Sequence, residues 1–476
     1  MKQRFFLCVC ALLYTTGLLL CLPGYANGDA WFEELKQTAD DETLYKVLYA
    51  MPKGGDLHIH LSGSIHPEWL LQLALDAQAD GYTYYTKVRI NECAYGTNEY
   101  GGDAYLLLFK NIPHFDYEQL SECRRGEYVA LQDLNKTQRA AWLDSLRLDQ
   151  LFEGRNEFFE AHWSRISGLL RNPHIMAETI YLNMQHFGAE GVRYIEGQVP
   201  LLGFQTSTGE PVDPEQVREI YVERVNRKDA RDTGVTIRFQ LAVLRFHPRA
   251  EELLRMYYAF VAKHPEFVAV NLVGREDNDK GYPLRFLDVL RDMRRTHAGV
   301  RLSFHAGEVD EPNQHVRDTL LLGADRIGHG INLISDADTM RLMRHGPYLV
   351  EINLVSNLLL EYVGDYQQHP FPEYLRIGIP VALSTDDRGM WDSNLTDEFF
   401  VAVREFGLSW EELVTLSRNS LSHAFAPAAL REQMLEDLDT RLRSFTGKIA
   451  TRPASALAGD AISYGFTCRR YQLCDW

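Results

Sequence analysis

Residues 56–61 read Asp-Leu-His-Ile-His-Leu, and this stretch decides the fold. It predicts a short strand, in which side chains alternate between the two faces. His58 and His60 then point the same way, while the apolar side chains of the stretch face a packed layer. Two imidazoles at positions i and i+2 form half of a metal site. A metal site therefore needs further ligands from elsewhere in the chain.

The length and composition favour a large folded protein without a nucleic-acid partner. The chain has 476 residues, of which 45% are hydrophobic, so it can bury a large core. A division by about 150 residues per domain suggests three domains, but α/β barrels of about 250 residues or more are common as one domain. The formal charge of −17 argues against nucleic-acid binding, which requires a basic face.

Residues 1–26 have the pattern of a secretory signal peptide. Lys2 and Arg4 precede an apolar run over residues 5–22, and residues 24–26 (Gly-Tyr-Ala) place small side chains at positions −3 and −1 of a cleavage site. An uncleaved membrane anchor is the alternative. No other run of about 18 apolar residues occurs, so we expect a mature protein that is secreted or periplasmic and not embedded in a membrane.

Four cysteines lie outside the predicted signal peptide. An even number of cysteines in an exported chain indicates disulfide bonds, and four allow three pairings. We predict the pairs Cys93–Cys123 and Cys468–Cys474, because the members of each pair are near in sequence. No Cys-x-x-Cys is present, which argues against a zinc–thiolate site.

Apolar, β-branched segments alternate with helical patterns along most of the chain. Besides residues 56–61, strands are predicted at 193–199, 236–246, 267–274, 301–308, 326–330, 348–357 and 380–387. Helices are predicted at 31–50, 64–79, 158–170, 214–226, 251–263, 283–296, 337–345, 396–406 and 409–423. Eight strands in this alternation predict an α/β fold, the (β/α)8 TIM barrel. An open doubly wound sheet is the alternative, but no Gly-rich phosphate loop follows any strand.

The same patterns suggest how the chain divides. After the signal peptide we expect a helical segment at 27–50 and the barrel at 51–425. Residues 81–150 are rich in Tyr, Gly and charge and do not alternate, which predicts an insertion after the first strand. A C-terminal helix and tail at 426–476 complete the chain.

Polar residues collect at the predicted carboxyl ends of four strands, where barrel enzymes place their chemistry. They are His58 and His60 in the first strand, His305 and Glu308 in the fifth, His329 in the sixth, and Asp386 and Asp387 in the eighth. A single histidine at a strand end is more often structural. Together, however, these residues match the ligand set of a catalytic zinc, in which nitrogen and carboxylate ligands leave one position for water.

The motifs around these residues resemble those of the adenosine deaminases in the amidohydrolase superfamily. The resemblance runs from about residue 51 to about residue 425 and weakens across 81–150. Its motifs are Met-Pro-Lys-Gly-Gly at 51–55, His-Ile-His-Leu at 58–61, Asn-Leu-Val-Gly at 271–274, His-Ala-Gly-Glu at 305–308, Gly-His-Gly at 328–330 and Ser-Thr-Asp-Asp at 384–387. The Pro-Lys-Gly-Gly opening, residues 272–277 and the export signal are most similar to the extracellular, growth-factor-type branch.

The resemblance implies a zinc-dependent hydrolytic deaminase that converts adenosine or 2′-deoxyadenosine to the inosine product and ammonia. One zinc ion per chain would be held by His58, His60, His305 and Asp386. Two-metal relatives bridge their ions through a carboxylated lysine on the fourth strand, and residues 267–274 contain no lysine. The small-molecule partner would be a purine nucleoside.

The resemblance also implies roles for the residues around the metal. Glu308 would protonate the purine at N1, which makes C6 electrophilic. His329 would take a proton from the attacking water and stabilise the developing negative charge. Asp387 would accept a hydrogen bond from N7, and the backbone of Gly274 would approach N3.

Several positions depart from the family pattern. Ser62 replaces an aspartate that binds the ribose 5′-hydroxyl, and Asn271 replaces an aspartate at the fourth strand. Glu196 at the second strand could bind the ribose instead, or could be a structural residue of the barrel. The resemblance implies a homodimer, for which residues 27–50 are short as a dimer-forming extension.

Two other functions stay open on the sequence. A deaminase of adenine, a modified adenosine or AMP would keep the same centre, although no Lys/Arg cluster adjoins the strand ends to bind phosphate. A non-catalytic purine-binding or receptor-binding protein is the third hypothesis. Glu308 and His329 argue against it, because a binder needs no proton donor beside a metal.

Overall fold

The computed structural model describes residues 30–91, 93, 106–150, 153–449 and 461–474. The signal-peptide pattern of residues 1–26 lies outside these ranges. Among the helices so described, none combines the length and apolar composition needed to cross a bilayer.

Eight parallel strands form the barrel, and their order in space follows their order in the chain. Counted along the described residues, the strands of the barrel and of a separate three-stranded sheet are β1 (Gly55–His60), β2 (Tyr84–Lys87), β3 (Asn111–Pro113), β4 (Tyr128–Ala130), β5 (Tyr194–Val199), β6 (Thr236–Leu244), β7 (Phe267–Val273), β8 (Arg301–Ala306), β9 (Arg326–His329), β10 (Leu349–Ile352) and β11 (Val381–Leu383). The barrel sheet has the order β1-β5-β6-β7-β8-β9-β10-β11. The predicted α/β barrel is confirmed.

The residues that follow β11 return to β1 and close the ring. Ile59 forms a parallel bridge with Asp386. The backbone N–H of Asp386 donates to His58 O at 2.9 Å, and that of His60 donates to Asp386 O at 3.1 Å. The buried carboxylate of Asp56 accepts from the N–H and the hydroxyl of Thr385, at 3.1 and 2.7 Å. Main-chain and side-chain hydrogen bonds therefore join the first strand to the last.

The predicted barrel strands are all present, but most of them end earlier than predicted. The segment predicted at 348–357 ends as a strand at Ile352, and residues Leu354–Leu359 are helical. The segment predicted at 380–387 ends as a strand at Leu383. His329 and Asp386 adopt positive φ angles of 64° and 54°. Because non-glycine residues rarely adopt this conformation, the chain turns sharply where these side chains project.

Helices alternate with the barrel strands and form both terminal extensions. The α-helices are α1 (Ala30–Thr38), α2 (Asp41–Ala50), α3 (Pro67–Asp76), α4 (His114–Glu118), α5 (Glu122–Arg125), α6 (Lys136–Asp144), α7 (Gly154–Glu157), α8 (Trp163–Ile166), α9 (Pro173–Ala189), α10 (Pro214–Val225), α11 (Lys228–Asp232), α12 (Ala250–Lys263), α13 (Leu287–Thr296), α14 (His315–Leu321), α15 (Ala337–His345), α16 (Leu354–Leu359), α17 (Phe371–Ile377), α18 (Arg388–Trp391), α19 (Leu395–Phe406), α20 (Trp410–Ser422), α21 (Ala428–Ile449) and α22 (Gly465–Tyr471).

Two of the predicted helices are interrupted or irregular in ways that matter for the site and the N-terminal extension. The helix predicted at 31–50 is split into α1 and α2, because the side chain of Asp40 accepts from Thr43 N at 2.8 Å and caps a new helix. The helix predicted at 158–170 contains a π-helical turn at Phe158–His162 between α7 and α8. Such turns are frequent at functional sites.

The segment predicted as an insertion contains its own small sheet. β2 pairs with β3 and β4 in antiparallel fashion. The disulfide Cys93–Cys123 lies in this segment, and Cys468–Cys474 closes a loop near the C-terminus. Both predicted pairings are confirmed.

Candidate active site

Imidazole and carboxylate groups from β1, β8, β9 and the turn after β11 converge at the carboxyl ends of the barrel strands. Ligand atoms of His58, His305, His329 and Asp386 all lie within 4.8 Å of one another. His60 Nε2 lies 3.1 Å from His305 Nε2 and 3.2 Å from Asp386 Oδ1. The buried Nε2 of His58 has no hydrogen-bond partner among the described residues and lies 3.5 Å from Asp386 Oδ1. This donor set suits a divalent transition metal.

Two histidines of the cluster are oriented by hydrogen bonds on their far sides. Glu351 Oε2 lies 2.8 Å from His58 Nδ1, and Asn271 Oδ1 lies 2.9 Å from His305 Nδ1. Each contact turns the Nε2 atom of the ring toward the cluster, as is usual for histidines that bind metals. The residues therefore fit a metal ion in position as well as in chemistry.

The carboxyl group of Glu308 lies beside the cluster in a buried position. Its Oε1 is 3.6 Å from His329 Nε2. Burial, together with the charges of Asp386 and Glu276, raises the pKa of Glu308 well above its usual range. The backbone N–H groups of Gly307 and Glu308 donate to Glu276 at 3.1 and 3.2 Å, which fixes the turn that carries Glu308. Glu276 was missed in the sequence, where it was only part of a matching segment.

A chain of hydrogen bonds determines which nitrogen of His329 carries its proton. Phe371 N–H donates to His369 Nδ1 at 3.1 Å, so the neutral His369 ring carries its own proton on Nε2. His369 Nε2 then donates to Asn357 Oδ1 at 3.0 Å, and Asn357 Nδ2 donates to His329 Nδ1 at 2.9 Å. Burial lowers the pKa of His329 to about 3, so its ring is neutral. The network thus assigns the proton of His329 to Nε2.

A cavity of about 380 Å³ is lined by four residues of this region, His60, His305, Glu308 and Asp386. Its volume falls within the range of small-molecule sites, about 300–1,000 Å³. Phe158, Phe159 and Trp163, from the π-helical turn and the start of α8, form an aromatic part of its wall. None of the described residues that line it is a lysine or an arginine. The cavity therefore offers apolar surface, carboxyl groups and imidazoles to a ligand.

Three residues predicted to bind substrate line this cavity: Asp387, Gly274 and Ser62. Asp387 Oδ1 is buried without a hydrogen-bond partner in the described structure, and burial together with the charge of Asp386 raises the pKa of Asp387. Gly274 has φ +89°, and a Cβ there would lie 2.7 Å from Leu244 Cδ1. A side chain at position 274 would therefore collide with the wall of the cavity.

Glu196, the remaining residue predicted to bind substrate, does not line the cavity. Its carboxylate is fully buried and accepts from Tyr194 Oη at 2.9 Å, Gln240 Nε2 at 3.2 Å and Arg326 Nη2 at 2.6 Å. Protein groups thus satisfy it in the barrel interior, which fits the structural alternative. Gln198, two residues farther along the same face of β5, does line the cavity and was missed in the sequence.

Comparison with known proteins identifies the family. Residues 127–441, well over half of the chain, match the family model described as adenosine deaminase. This chain belongs to the adenosine deaminase family. His58 and His60 precede the matched range, and the barrel brings them close to His305 and Asp386 within it. Family membership supports a hydrolase that acts by deamination.

Individual relatives agree with this family and fold. The chain is 27% identical over 418 residues to adenosine deaminase 2 of Dictyostelium discoideum, covering 84% of this chain and 73% of the relative. Among solved structures, adenine deaminase from Arthrobacter aurescens has a TM-score of 0.60 at 22% identity, covering 82% of this chain and 99% of that one. An amidohydrolase from Burkholderia ambifaria, solved with bound Zn, has a TM-score of 0.60 at 17% identity, covering 86% and 95%. At these identities the two structures show a shared fold alone.

Proposed function

We propose that this protein is an exported zinc-dependent deaminase that converts adenosine and 2′-deoxyadenosine to inosine and 2′-deoxyinosine, with release of ammonia. The observation that carries the proposal is that three kinds of group lie close together beside one cavity. These are a histidine and aspartate donor set, a buried carboxyl group beside it, and an imidazole with a defined tautomer.

Zinc is proposed as the metal, with His58, His60, His305 and Asp386 as its ligands. His329 also lies in the cluster, but the proton on its Nε2 leaves that nitrogen no lone pair to donate. The Nε2 atom of His60 adjoins both His305 and Asp386. A zinc ion in such a donor set lowers the pKa of water from 15.7 to about 7 and so supplies hydroxide near neutral pH.

Glu308 is proposed as the acid that donates a proton to N1 of the purine. A carboxyl group can do this near neutral pH only if its pKa is raised, and burial beside Asp386 and Glu276 has that effect. Protonation of N1 withdraws electrons from C6, where the oxygen of water replaces the amino group. Of the two water protons, one goes to the amino group, which leaves as ammonia, and the other restores the proton that Glu308 gave to N1.

We propose roles for His329 and Asp387 that differ from those implied by the resemblance. A neutral His329 with its proton on Nε2 does not accept a proton there, so we propose that it donates a hydrogen bond to the oxygen that attacks C6. Stabilisation of the developing negative charge, the other half of its expected role, is retained. N7 of a neutral purine accepts hydrogen bonds, so Asp387 must hold a proton and donate to N7, and its raised pKa supports that state.

The rival substrates differ in charge and size. AMP is disfavoured, because the described lining contains no cation to pair with a phosphate. Adenine or a modified adenosine would meet the same reacting groups. A non-catalytic binder is disfavoured by the buried carboxyl group of Glu308, which adjoins His329.

Metal analysis paired with an adenosine absorbance assay on the purified mature chain tests the proposal. We expect one zinc per chain and conversion of adenosine to inosine. Ammonia release from adenosine, 2′-deoxyadenosine, adenine, N6-methyladenosine and AMP ranks the substrates. No release from any of them would contradict every enzymatic hypothesis, and a metal-free active protein would contradict the zinc assignment.

Export is proposed from the pattern of residues 1–26 and is consistent with the two disulfides. N-terminal sequencing of the secreted or periplasmic protein would test it, with Asn27 as the expected first residue. The homodimer implied by the resemblance stays a prediction, which light scattering on the purified protein would test.

A further inference from the structure

Gln198 is a buried polar side chain that protein contacts leave unsatisfied. It lies at the carboxyl end of β5, and 2% of its surface is exposed. Neither its amide nitrogen nor its amide oxygen has a hydrogen-bond partner among the described residues. Buried amides are nearly always hydrogen-bonded, because leaving them unpaired is unfavourable. Gln198 lines the cavity, so the missing partner must come from what fills the cavity.

Glu196 shows that β5 does not leave its inward polar groups unpaired in general. The two side chains point to the same face of the strand, two residues apart. The lower one, Glu196, is fully paired by Tyr194, Gln240 and Arg326. Among these two side chains, only the one that lines the cavity, Gln198, lacks hydrogen-bond partners in the described structure.

The position of Gln198 in the ring of barrel strands indicates which part of a bound purine nucleoside it would contact. β5 is the neighbour of β1, and Gln198 pairs in register with His60. Gly274 and Glu308 follow β7 and β8, and His329 is the last residue of β9, and these strands lie farther round the ring. A purine that offers N1 to Glu308 and N3 to Gly274 therefore extends its N9 substituent toward β1 and β5.

The chemistry of that end is neutral and polar. Ser62, which follows β1, also lines the cavity, and its hydroxyl lies 4.0 Å from Met176 Sδ. An amide can donate through Nε2 and accept through Oε1, which matches a hydroxyl group better than an anion. The absence of lysine and arginine from the described lining supports the same conclusion.

We propose that Gln198 is a specificity-determining residue that hydrogen-bonds a sugar hydroxyl of an uncharged adenine nucleoside. This inference rests on the proposed function and narrows it, because it selects a nucleoside over free adenine and over a nucleotide. A site built to hydrogen-bond a hydroxyl discriminates strongly against compounds that lack it, since its own polar groups are then left unpaired.

The test compares substrates in two variants of the zinc-loaded mature chain. Gln198→Met keeps the size of the side chain and removes its hydrogen bonds, and Gln198→Leu provides a second apolar replacement. Ile195→Val is the matched control, because Ile195 lies on the same strand and faces away from the barrel interior. The value of kcat/KM is measured for adenosine, its 2′-, 3′- and 5′-deoxy derivatives, and adenine, with zinc content and thermal unfolding as checks of folding.

We expect both Gln198 variants to lower kcat/KM for adenosine by roughly 10- to 100-fold. The loss should shrink to less than about 3-fold for the one deoxy compound that lacks the partner hydroxyl, and for adenine. Ile195→Val should leave the ranking of substrates unchanged. The pattern across compounds reports recognition, because a general folding defect lowers every value together.

Equal losses for all nucleosides in the folded variants would overturn the proposal, and so would a wild type that prefers adenine to every nucleoside. In both cases deamination itself would still stand. A wild type that releases ammonia from none of the compounds would instead overturn the proposed function. The two failures are thus distinguishable.

Discussion

The amide nitrogen of Asn357 lies 2.9 Å from Nδ1 of His329, and this contact determines the tautomer of an imidazole at the site. The contact is itself determined by His369, whose Nε2 donates to the oxygen of the same amide. Asn357 is thus a positioning residue in our proposal: it acts on the substrate only through His329.

Asn357→Asp should impair the chemical step more than substrate binding. A carboxylate accepts hydrogen bonds only, so His329 would move its proton to Nδ1 and lose the donor on Nε2. We expect kcat to fall by roughly 10²- to 10⁴-fold, as when a catalytic histidine is held in the wrong tautomer. KM and zinc content should change little. Leu358→Val, in the same helix, is the control for a general disturbance, and wild-type kcat in Asn357→Asp would refute the tautomer assignment.

Glu308→Gln should abolish turnover while zinc stays bound. The amide of glutamine cannot donate a proton to N1, and positioned proton transfer contributes typically about 10²- to 10⁴-fold in rate. Steady-state assays and metal analysis on the same preparation would measure both. Glu311→Gln removes an exposed carboxylate from the same loop and should be fully active. If Glu308→Gln retained activity, the assignment of the acid would be wrong.

Asn271→Leu should weaken zinc binding through His305. The substitution removes the acceptor that holds His305 Nδ1 at 2.9 Å, and loss of such a contact typically costs about 10- to 100-fold in metal affinity. Asn271→Asp keeps an acceptor at that position and should bind zinc nearly as well as the wild type. Competition with a coloured chelator would measure both affinities. Equal affinity in the leucine variant would show that Asn271 does not orient the ligand.

His369 should make the folded protein sensitive to acid. Burial lowers the pKa of His369 to about 3, against about 6.5 in an unfolded chain. Between these two pKa values the unfolded chain binds one more proton than the folded chain. The contribution of His369 to the free energy of unfolding is therefore largest above about pH 6.5 and decreases as the pH is lowered toward 3. The slope reaches about 1.4 kcal/mol per pH unit.

His369→Gln removes this titrating group, so the free energy of unfolding should decrease less steeply as the pH is lowered. Urea unfolding of both proteins at several pH values from about 7 to 4 would show it as a difference in slope, because other groups titrate in both. Parallel stability curves for the two proteins would mean that His369 does not titrate as its burial implies.

The barrel and its cluster of histidine and aspartate side chains could be predicted because both leave local marks in the sequence. Alternating strand and helix patterns mark the barrel, and His58 and His60 mark the face of one strand. His305 and His329 lie near the ends of apolar segments with a strand pattern, and Asp386 follows another such segment. Since the carboxyl ends of barrel strands share one rim, convergence of these residues followed from the fold.

Residues that act through contacts between strands could not be predicted in this way. Glu196 and Gln198 lie on the same face of β5, and which of them reaches the cavity depends on the depth at which β5 sits against its neighbours. The tautomer of His329 depends on His369, 40 positions later, whose ring is oriented by a backbone N–H. Neither relation has a local pattern, because each depends on the three-dimensional register of separate segments.

The closure of the ring has a consequence for biosynthesis. Because β1 and the turn after β11 lie at opposite ends of the barrel sequence, a ribosome must finish nearly the whole barrel before their histidine and aspartate side chains can meet. If this cluster holds zinc as we propose, the ion can bind only after the sheet has joined end to end. We therefore expect zinc in chains that have completed the barrel and not in truncated products.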